Sequence, residues 1–509
     1  MCLFDSGLKA KNYIFVYLKK ETISNPITMK KIKIYPFLLF FILFFGTSVS
    51  AQVKKWTLQE CVDYALKNNI SVKQSELDTK TTAIDKKLAI GNFLPSLNGG
   101  ASHSWNIGLN QNITTGLLEN QTIQYTSASL TSAVSIFNGL QNQNRLRRAK
   151  LAELAAQYHL TKMQDDVSLY VANAYLDILF NKENLKVQEA QLMNDEKQLV
   201  RSQELVDAGV VPRGDLLDMK ATVAADKQKK IAAENNLLIA RLSLAQLLNL
   251  EDFKNFDIAD VDMEAKPSVV MAESPEAIVE KANQVRVEMK IAQSNLDIAE
   301  RDIKIAKGAM QPSLTGFYSF STRAGYSERV TGVTLDTANP TSIIGQVEGT
   351  GQNVLQPNYL PIFSKAAPVF EQFSDNKGHN FGLELRVPVF NGFSARGNVE
   401  KSKVNYEKTK NAFTQAKLDL ETNVYKAITD AKGALNTYEA SMATAEARQE
   451  AFNYAKEKYA VGMMNAFDFN QAQTLNTTAQ SDVIRAKYDY IFKMKVVELY
   501  FGIPIIQKQ

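Results

Sequence analysis

The sequence predicts a mainly α-helical protein with a membrane β-barrel portion, built by internal tandem duplication from two long coiled-coil hairpins and four β-strands. Three observations carry this. "FNGLQNQNRLRRAK" (137–150) recurs as "FNGFSARGNVEKSK" (390–403), an offset of 253 (391 minus 138). Each copy opens a proline-free stretch of seventy residues, 139–208 and 392–461. Each copy also follows a segment in which apolar and polar side chains alternate with a period of two.

The duplication extends in both directions. "AGVVPRGDLLDMKA" around Gly209 matches "VGMMNAFDFNQAQT" around Gly462, again offset by 253, so that Asp215 falls on Asp468. "NFLPSL", ending at Leu97, matches "AMQPSL", ending at Leu314, offset by 217 (314 minus 97). The halves therefore align without a gap from about Asn138 to Leu250 and differ by 36 residues (253 minus 217) just before Phe-Asn-Gly. Repeats of this kind are sought before any local motif. The surplus falls in 321–379, rich in Gly, Thr, Ser and Asn, and is expected as a long loop. The chain divides into a leader (1–51), a first repeat (52–265) and a second repeat (266–509). In the first, a helix precedes a strand pair (96–137), a long helix (139–208) and a return helix (215–250). In the second, the same order gives a strand pair over 313–390, a long helix over 392–461 and a return helix over 465–500.

The long helices carry a narrow apolar seam. Val424, Ile428, Ala431, Leu435, Tyr438, Met442 and Ala445 step by four and three in turn, the heptad rhythm of a coiled coil. Val167, Tyr170, Val171, Ala174 and Ile178 match them in the first half. Seventy residues at helical rise make a rod of ~105 Å, too long to be covered within one globular core, so the helices must lie side by side. One helix from Trp56 to Gly91 and the return helix are each about half that length, and two of them end to end would cover one rod. The helices alone are equally compatible with a coiled-coil bundle that has no pore.

The strands break the tie. Over 126–137, Ala128, Leu130, Ser132, Val134 and Ile136 share a face; over 380–390, Phe381, Leu383, Leu385, Val387 and Val389 do. Strands of ~11 residues with this alternation suit a tilted transmembrane strand. Those at 313–320 and 96–109 complete a set of four. Four strands cannot close a barrel, and lipid does not tolerate an open edge. If they enter a membrane, several chains must share one barrel; this argument does not fix the number of chains.

Composition and targeting agree. From Met29 the chain reads "MKKIKIYPFLLFFILFFGTSVSAQ": a cationic start, an apolar run from Phe37 to Phe45, and small residues before Gln52. This is a signal peptide over 29–51, its apolar run short of the ~20 residues that span a bilayer. Beyond it no run of 18 apolar residues occurs, so no transmembrane helix is expected in the mature chain. With 58 basic and 54 acidic residues, nucleic-acid binding is not indicated. His103, His159 and His379 show no metal-ligand spacing, and no phosphate loop, nucleophile elbow or CxxC is present. No enzyme activity, metal or cofactor is expected. Cys61 sits at apolar helical spacing and is expected as a buried hydrophobe.

The duplicated plan resembles the TolC-like outer-membrane efflux proteins. The likeness rests on "LPSL" and "QPSL", on the Asn-Gly pairs at Asn138-Gly139 and Asn391-Gly392, and on the tips "LVDAGVVPRGDLLDMKA" and "YAVGMMNAFDFNQAQT". "WTLQECVDYALKNN" and the ending "VVELYFGIPI" complete it, over residues 56–503. It implies a homotrimer whose three four-stranded contributions make a twelve-stranded barrel, continued by a barrel of twelve helices. It also implies a place in the outer membrane of a Gram-negative bacterium, extending into the periplasm, as the passive conduit of a tripartite efflux or type I secretion system. The implied partners are a periplasmic adaptor (membrane fusion protein), an inner-membrane transporter such as an RND pump or ABC exporter, and outer-membrane lipid. The competing reading is a periplasmic coiled-coil adaptor or scaffold without a pore.

The resemblance also assigns the sites. Asn138, Gly139, Asn391 and Gly392 would lie where strand becomes helix at the membrane surface, because Gly and Asn accept backbone angles that other residues resist. Arg145, Arg147, Arg148, Lys150, Arg396, Lys401 and Lys403 follow, either against lipid head groups or as a solvated helix face. The tips would line the constricted periplasmic entrance and meet the adaptor: Gly209, Val210, Val211, Pro212, Arg213 and Asp215 in the first repeat, Gly462, Met463, Met464, Phe467, Asp468 and Gln471 in the second. Gly209 and Gly462 would end the long helices in the left-handed conformation. Asp215 and Asp468 match acidic positions of the family and could equally serve as helix-dipole partners. Met464 stands where the family commonly places an arginine, and Gln471 where it commonly places a second acid. An ionic lock at Met464 is therefore unavailable; Arg213 is a substitute, and Met463, Met464 and Phe467 could make part of the seal apolar.

Overall fold

Thr57 accepts a hydrogen bond from the Glu60 N–H while the Glu60 carboxylate accepts from the Thr57 N–H, a capping box that starts the first helix. The structure, a computed structural model, describes residues 55–111, 116–251, 253, 255–261 and 263–505; the leader with its expected signal peptide lies outside the described residues. The first repeat runs β1 (Lys55–Trp56), α1 (Leu58–Asn68), α2 (Ile70–Gly91), β2 (Ser96–Gln111), β3 (Leu118–Asn138), α3 (Gln141–Asp207), α4 (Arg213–Leu248) and β4 (Asp257–Ile258). After a 3-10 turn at Val269–Ala272 the second runs α5 (Pro275–Val285), α6 (Val287–Gly308), β5 (Ser313–Gly325), β6 (Arg329–Leu335) and β7 (Thr341–Gln346). It continues with β8 (Asn353–Pro357), β9 (Tyr359–Ser364), α7 (Val369–Asp375), β10 (Gly378–Arg386), α8 (Ser394–Ala460) and α9 (Ala466–Phe501).

The helices repeat residue for residue. α3 and α8 have 67 residues each, α4 and α9 have 36, α2 and α6 have 22, and α1 and α5 have 11. The long helices start two residues later than expected, because the residues after each Asn are turned left-handed. The single helix expected from Trp56 to Gly91 is two. Asn69, with φ −61 and ψ 133, breaks it, and its side chain accepts from the Ser71 N–H to start α2.

Strands β2, β3, β5 and β10 form one antiparallel sheet in the order β10-β5-β3-β2. The β3–β5 pair joins the two repeats, and β2 and β10 are left as open edges. Leu97, Trp105 and Ile107 of β2 and Phe381, Leu383 and Leu385 of β10 are all exposed on the protomer. The polar side carries Glu384 and Arg386, paired at 3.1 Å. The strand expected over 380–390 stops at Arg386, and β3 has a bulge between Ser135 and Phe137 that interrupts the alternation at Ile136.

The loop expected over 321–379 is corrected. β5 runs on to Gly325, and the segment beyond folds into two antiparallel pairs, β6 with β9 and β7 with β8, followed by α7. Val330, Val333, Tyr359, Ile362 and Phe363 supply the β-branched and aromatic side chains that favour strand, which the Gly, Ser and Thr content had masked.

The helical core lies midway along the long helices. Val171, Tyr175 and Ile178 of α3 pack on Cys61 and Ala65 of α1 and on Leu244 and Leu248 of α4. Cys61 is fully buried, as its spacing predicts. Val424, Ile428 and Ala431 of α8 pack on Ile278 and Ala282 of α5 and Val497 of α9. The expected seam holds over this stretch except at Tyr170, which is exposed between buried Val167 and Val171, and at Met442 toward its end, also exposed.

Candidate functional site

At the first tip, Gly209 takes φ 69, its N–H reaches the Val206 carbonyl at 2.9 Å, and the Val210 N–H reaches the Leu205 carbonyl at 2.9 Å. The second tip repeats this closure. Gly462 takes φ 75, its N–H reaches Tyr459 O at 3.2 Å, and Met463 N–H reaches Lys458 O at 2.8 Å. This is the Schellman ending, which needs a left-handed residue and so favours glycine. The return helices then start differently. Pro212 precedes α4 without a side-chain cap, so Asp215 in the first turn faces the uncapped positive end of the helix. Asn465 precedes α9; its Oδ1 accepts from the Asp468 N–H at 2.8 Å, and its Nδ2 donates to Asp468 Oδ2 at 2.9 Å.

Val210, Met463 and Phe467 are exposed, each more than two-thirds. Arg213, Asp468 and Gln471 are also exposed, and Val211, Asp215 and Met464 are half-buried. Among the described residues Arg213 makes no ion pair within the protomer. A residue the sequence reading missed holds this tip in place. Phe469 is buried and stacks on Tyr459, ring centroids 4.6 Å apart and planes at 15°, pinning α9 to the end of α8.

A buried polar cluster lies about fourteen residues up the hairpin, also missed. Asp195 of α3 and Asp226 of α4 are almost wholly inaccessible. Gln473 Nε2 of α9 donates to Asp195 Oδ1 at 2.6 Å, Gln191 Nε2 donates to Asp195 Oδ2 at 2.8 Å, and Lys229 Nζ donates to Asp226 Oδ1 at 2.9 Å. Burial, and then the facing Asp226 carboxyl, pushes the Asp195 carboxyl up to about 7. Around it Thr477 donates to Gln191 at 2.8 Å and Ser481 to Asn184 at 2.9 Å, tying the two hairpins together. The available signal was Asp226 itself, an acid on the buried stripe with Val223 and Ala233.

At the strand-to-helix junctions the expectation is half met. Gly139 and Gly392 are left-handed (φ 66 and 60), but so are the next residues, Leu140 and Phe393 (φ 61 and 63). Asn138 and Asn391 instead reach forward into the first helical turn from two residues before the cap positions Leu140 and Phe393: their Oδ1 atoms accept from the Asn142 and Ala395 N–H at 3.3 and 3.4 Å. Gly139 is also a crossing point. A Cβ built there would lie 2.2 Å from the Gly308 carbonyl oxygen. Of the basic residues that follow, Arg148 is bound to Asp302 at 2.6 Å and Lys403 to Glu400 at 2.8 Å.

An open-edged sheet with an exposed apolar face, leading through left-handed turns into paired 67-residue helices, defines a channel-forming protein of the outer membrane. None of the described helices is long and apolar enough to cross a membrane. The family model described as outer membrane efflux protein matches residues 61–250 and 278–493, and the chain belongs to that family. It is similar to the outer membrane protein TolC of Vibrio cholerae, 24% identical over 369 residues (71% of this chain, 72% of that one). It is likewise similar to TolC of Escherichia coli, 23% identical over 460 residues (87% and 82%). The solved outer-membrane channel CmeC of Campylobacter jejuni shares the fold, with TM-score 0.67 at 18% identity, covering 89% of this chain and 87% of that one. The chain is thus an outer-membrane channel of tripartite efflux systems, in the envelope of a Gram-negative cell, and its family is one of channels rather than enzymes.

Proposed function

We propose that three copies close a twelve-stranded barrel in the outer membrane and a twelve-helix barrel in the periplasm, forming a passive conduit. The observation that carries this is the pair of open edges, β2 and β10, on a sheet whose apolar side is exposed. Neither edge survives in lipid unless another chain pairs with it. The tips at Gly209–Asp215 and Gly462–Gln471 form the periplasmic entrance and the seat of the adaptor, and a transporter of the RND or ABC class supplies energy from the inner membrane. At this entrance Met463, Met464 and Phe467 give an apolar seal in place of an ionic lock. The chain itself performs no chemistry. Native mass measurement in detergent, with conductance in planar bilayers, tests the reading. A trimer that opens discrete conducting steps is expected; a monomer without conductance overturns it.

A further inference from the structure

The second repeat carries a helix at its outer rim for which the first has no room. Residues 112–117 are all that separate β2 from β3, whereas 326–377 separate β5 from β10 and include the seven-residue α7. Polar contacts fix α7 on β5. The pairing of β5 with β10 ends at Ser321↔Gly378, and beyond it α7 satisfies the edge that β10 has left. Asn376 Nδ2 donates to Arg323 O at 2.8 Å, Gln372 Nε2 donates to Gly325 O at 2.9 Å, and the Gly325 N–H donates to Gln372 Oε1 at 3.0 Å. The other edge of β5 is taken by β3 as far as Tyr125↔Gly325. α7 therefore stands in line with β10, on the same edge of the sheet.

It also leans onto the apolar face. Thr322 and Ala324 share the face of β5 that carries Leu314, Tyr318 and Phe320, yet both are buried, and Thr322 Oγ1 donates to Phe373 O at 2.9 Å. Gln372 is buried as well, so the helix is firmly seated. Phe370, by contrast, is 85% exposed. Among the described residues its one ring contact is Phe373, with centroids 6.4 Å apart.

A matching surface lies at the opposite edge of the sheet. Leu97 pairs with Ser132 and Ser132 with Tyr318, so the odd-numbered residues of β2 lie on the face that α7 covers. At the outer end of β2 these are Trp105, Ile107 and Leu109, and Leu118 joins them from β3, opposite Gln111. All four are exposed. β2 has sixteen residues and β10 nine, so a β2 strand laid beside β10 outruns it at the outer end. That stretch presents apolar side chains and an unpaired backbone edge.

We propose that α7 of one copy clasps the outer end of the next copy's β2–β3 hairpin, an inference that rests on the shared barrel proposed above. Where β10 of one copy and β2 of the next lie side by side, α7 continues the row of β10 and meets the part of β2 that β10 is too short to reach. Phe370 packs on the neighbour's Trp105, Ile107, Leu109 and Leu118, which removes apolar surface from water on both sides. The helix also covers the open strand edge, one of the ways proteins protect such an edge. Lipid alone leaves that edge unsatisfied, which favours the neighbour as the occupant. The two repeats within one chain make no such contact, because β3 meets β5 with no helix between them. The clasp belongs to the boundary between subunits alone.

Photocrosslinking of the full chain in the outer membrane tests this. With the photoreactive analogue p-benzoylphenylalanine in place of Phe370, irradiation is expected to give covalent dimers and trimers on denaturing gels. Their adducts are expected to map to 105–111 or 118–120. In a protein that is still trimeric, adducts only to lipid, to another protein or within one chain, or no adduct, overturn the clasp and leave the shared barrel standing. A monomeric protein overturns both. Phe370→Ala is expected to lower the temperature at which the trimer dissociates while leaving the helicity of the protomer unchanged. An unchanged dissociation temperature overturns the clasp.

Discussion

Asn69 and Arg286 occupy the same position in the two repeats, 217 residues apart, and each donates to a carbonyl in the last turn of a return helix. Asn69 Nδ2 reaches Leu247 O at 2.9 Å, and Arg286 Nη1 reaches Leu499 O at 3.4 Å. Each marks the break between a short helix and the next, and each ties that break to the end of α4 or α9. Arg286 is the more heavily committed: buried, it also binds Glu288 at 2.9 Å and Asp165 at 3.3 Å. Burial pushes the Asp165 carboxyl up, whereas at Glu288 the bonds from Arg286 outweigh burial and hold the carboxyl below its usual range. Arg286→Ala leaves both acids without their cation and is expected to cost about 3–5 kcal/mol. Asn69→Ala loses a neutral bond and a cap and should cost about 1 kcal/mol. Chemical denaturation followed by circular dichroism checks both; equal losses would refute the distinction.

The crossing of Gly139 and Gly308 predicts a second asymmetry. Gly308→Ala forces a methyl group against backbone that cannot swing away, an overpacking cost of about 1–3 kcal/mol within the protomer. Gly91→Ala, at the duplicate position, should leave protomer unfolding unchanged, since no atom waits within 4 Å. The comparison is made by unfolding both variants as dissociated protomers. A similar midpoint for the two would show that the crossing tolerates a side chain.

The fold was legible where one residue decides one conformation. Gly209 and Gly462 ended their helices as expected, and the offset of 253 carried every helix boundary of one hairpin onto the other. The reading faltered where tertiary partners decide. Leu140 and Phe393 are left-handed because the chain must turn from sheet to helix there, although neither side chain favours that region. Asn69 reads as an ordinary polar helix residue until the end of α4 is beside it. Asp195 looks like one more solvated acid, because its burial depends on α9, nearly 280 residues away. Val387 to Phe390 keep the alternation of a strand, yet β5 begins opposite Arg386 and no described strand of the protomer pairs with them.

The second tip separates a structural from a channel role for Asp468. Asn465 caps α9 through the Asp468 backbone N–H, and the carboxylate only accepts in return from Asn465 Nδ2. Asn465→Ala should therefore loosen the first turn of α9 by about 1 kcal/mol. Asp468→Asn keeps the backbone bond and removes one negative charge per subunit. If Asp468 faces the entrance, that variant should lower cation selectivity in planar bilayers while its melting temperature stays close to that of the parent. Unchanged selectivity would take Asp468 out of the pore and leave it as a helix-end charge.

Asp195 and Asp226 predict how the neck of the hairpins responds to pH. Asp195 titrates near 7 in the folded protein, whereas an aspartate in an unfolded chain titrates at about 3.9. Between those values the folded state holds the extra proton, so its stability falls as pH rises through the window and changes little from this source below it. The groups that face the pair are Gln191 on α3, Lys229 on α4 and Gln473 on α9. Only Lys229 carries charge among them, and it is bound to Asp226 rather than to Asp195. When the proton leaves, Asp195 becomes a buried anion beside Asp226, and the contact joining α3, α4 and α9 weakens. Hydrogen exchange over 191–202, corrected for intrinsic rate, should therefore show less protection at pH 8 than at pH 5.5. Asp195→Asn supplies a permanent N–H where the proton sat and should flatten that difference. A variant that keeps the full pH dependence would show that the loosening arises elsewhere in the hairpin.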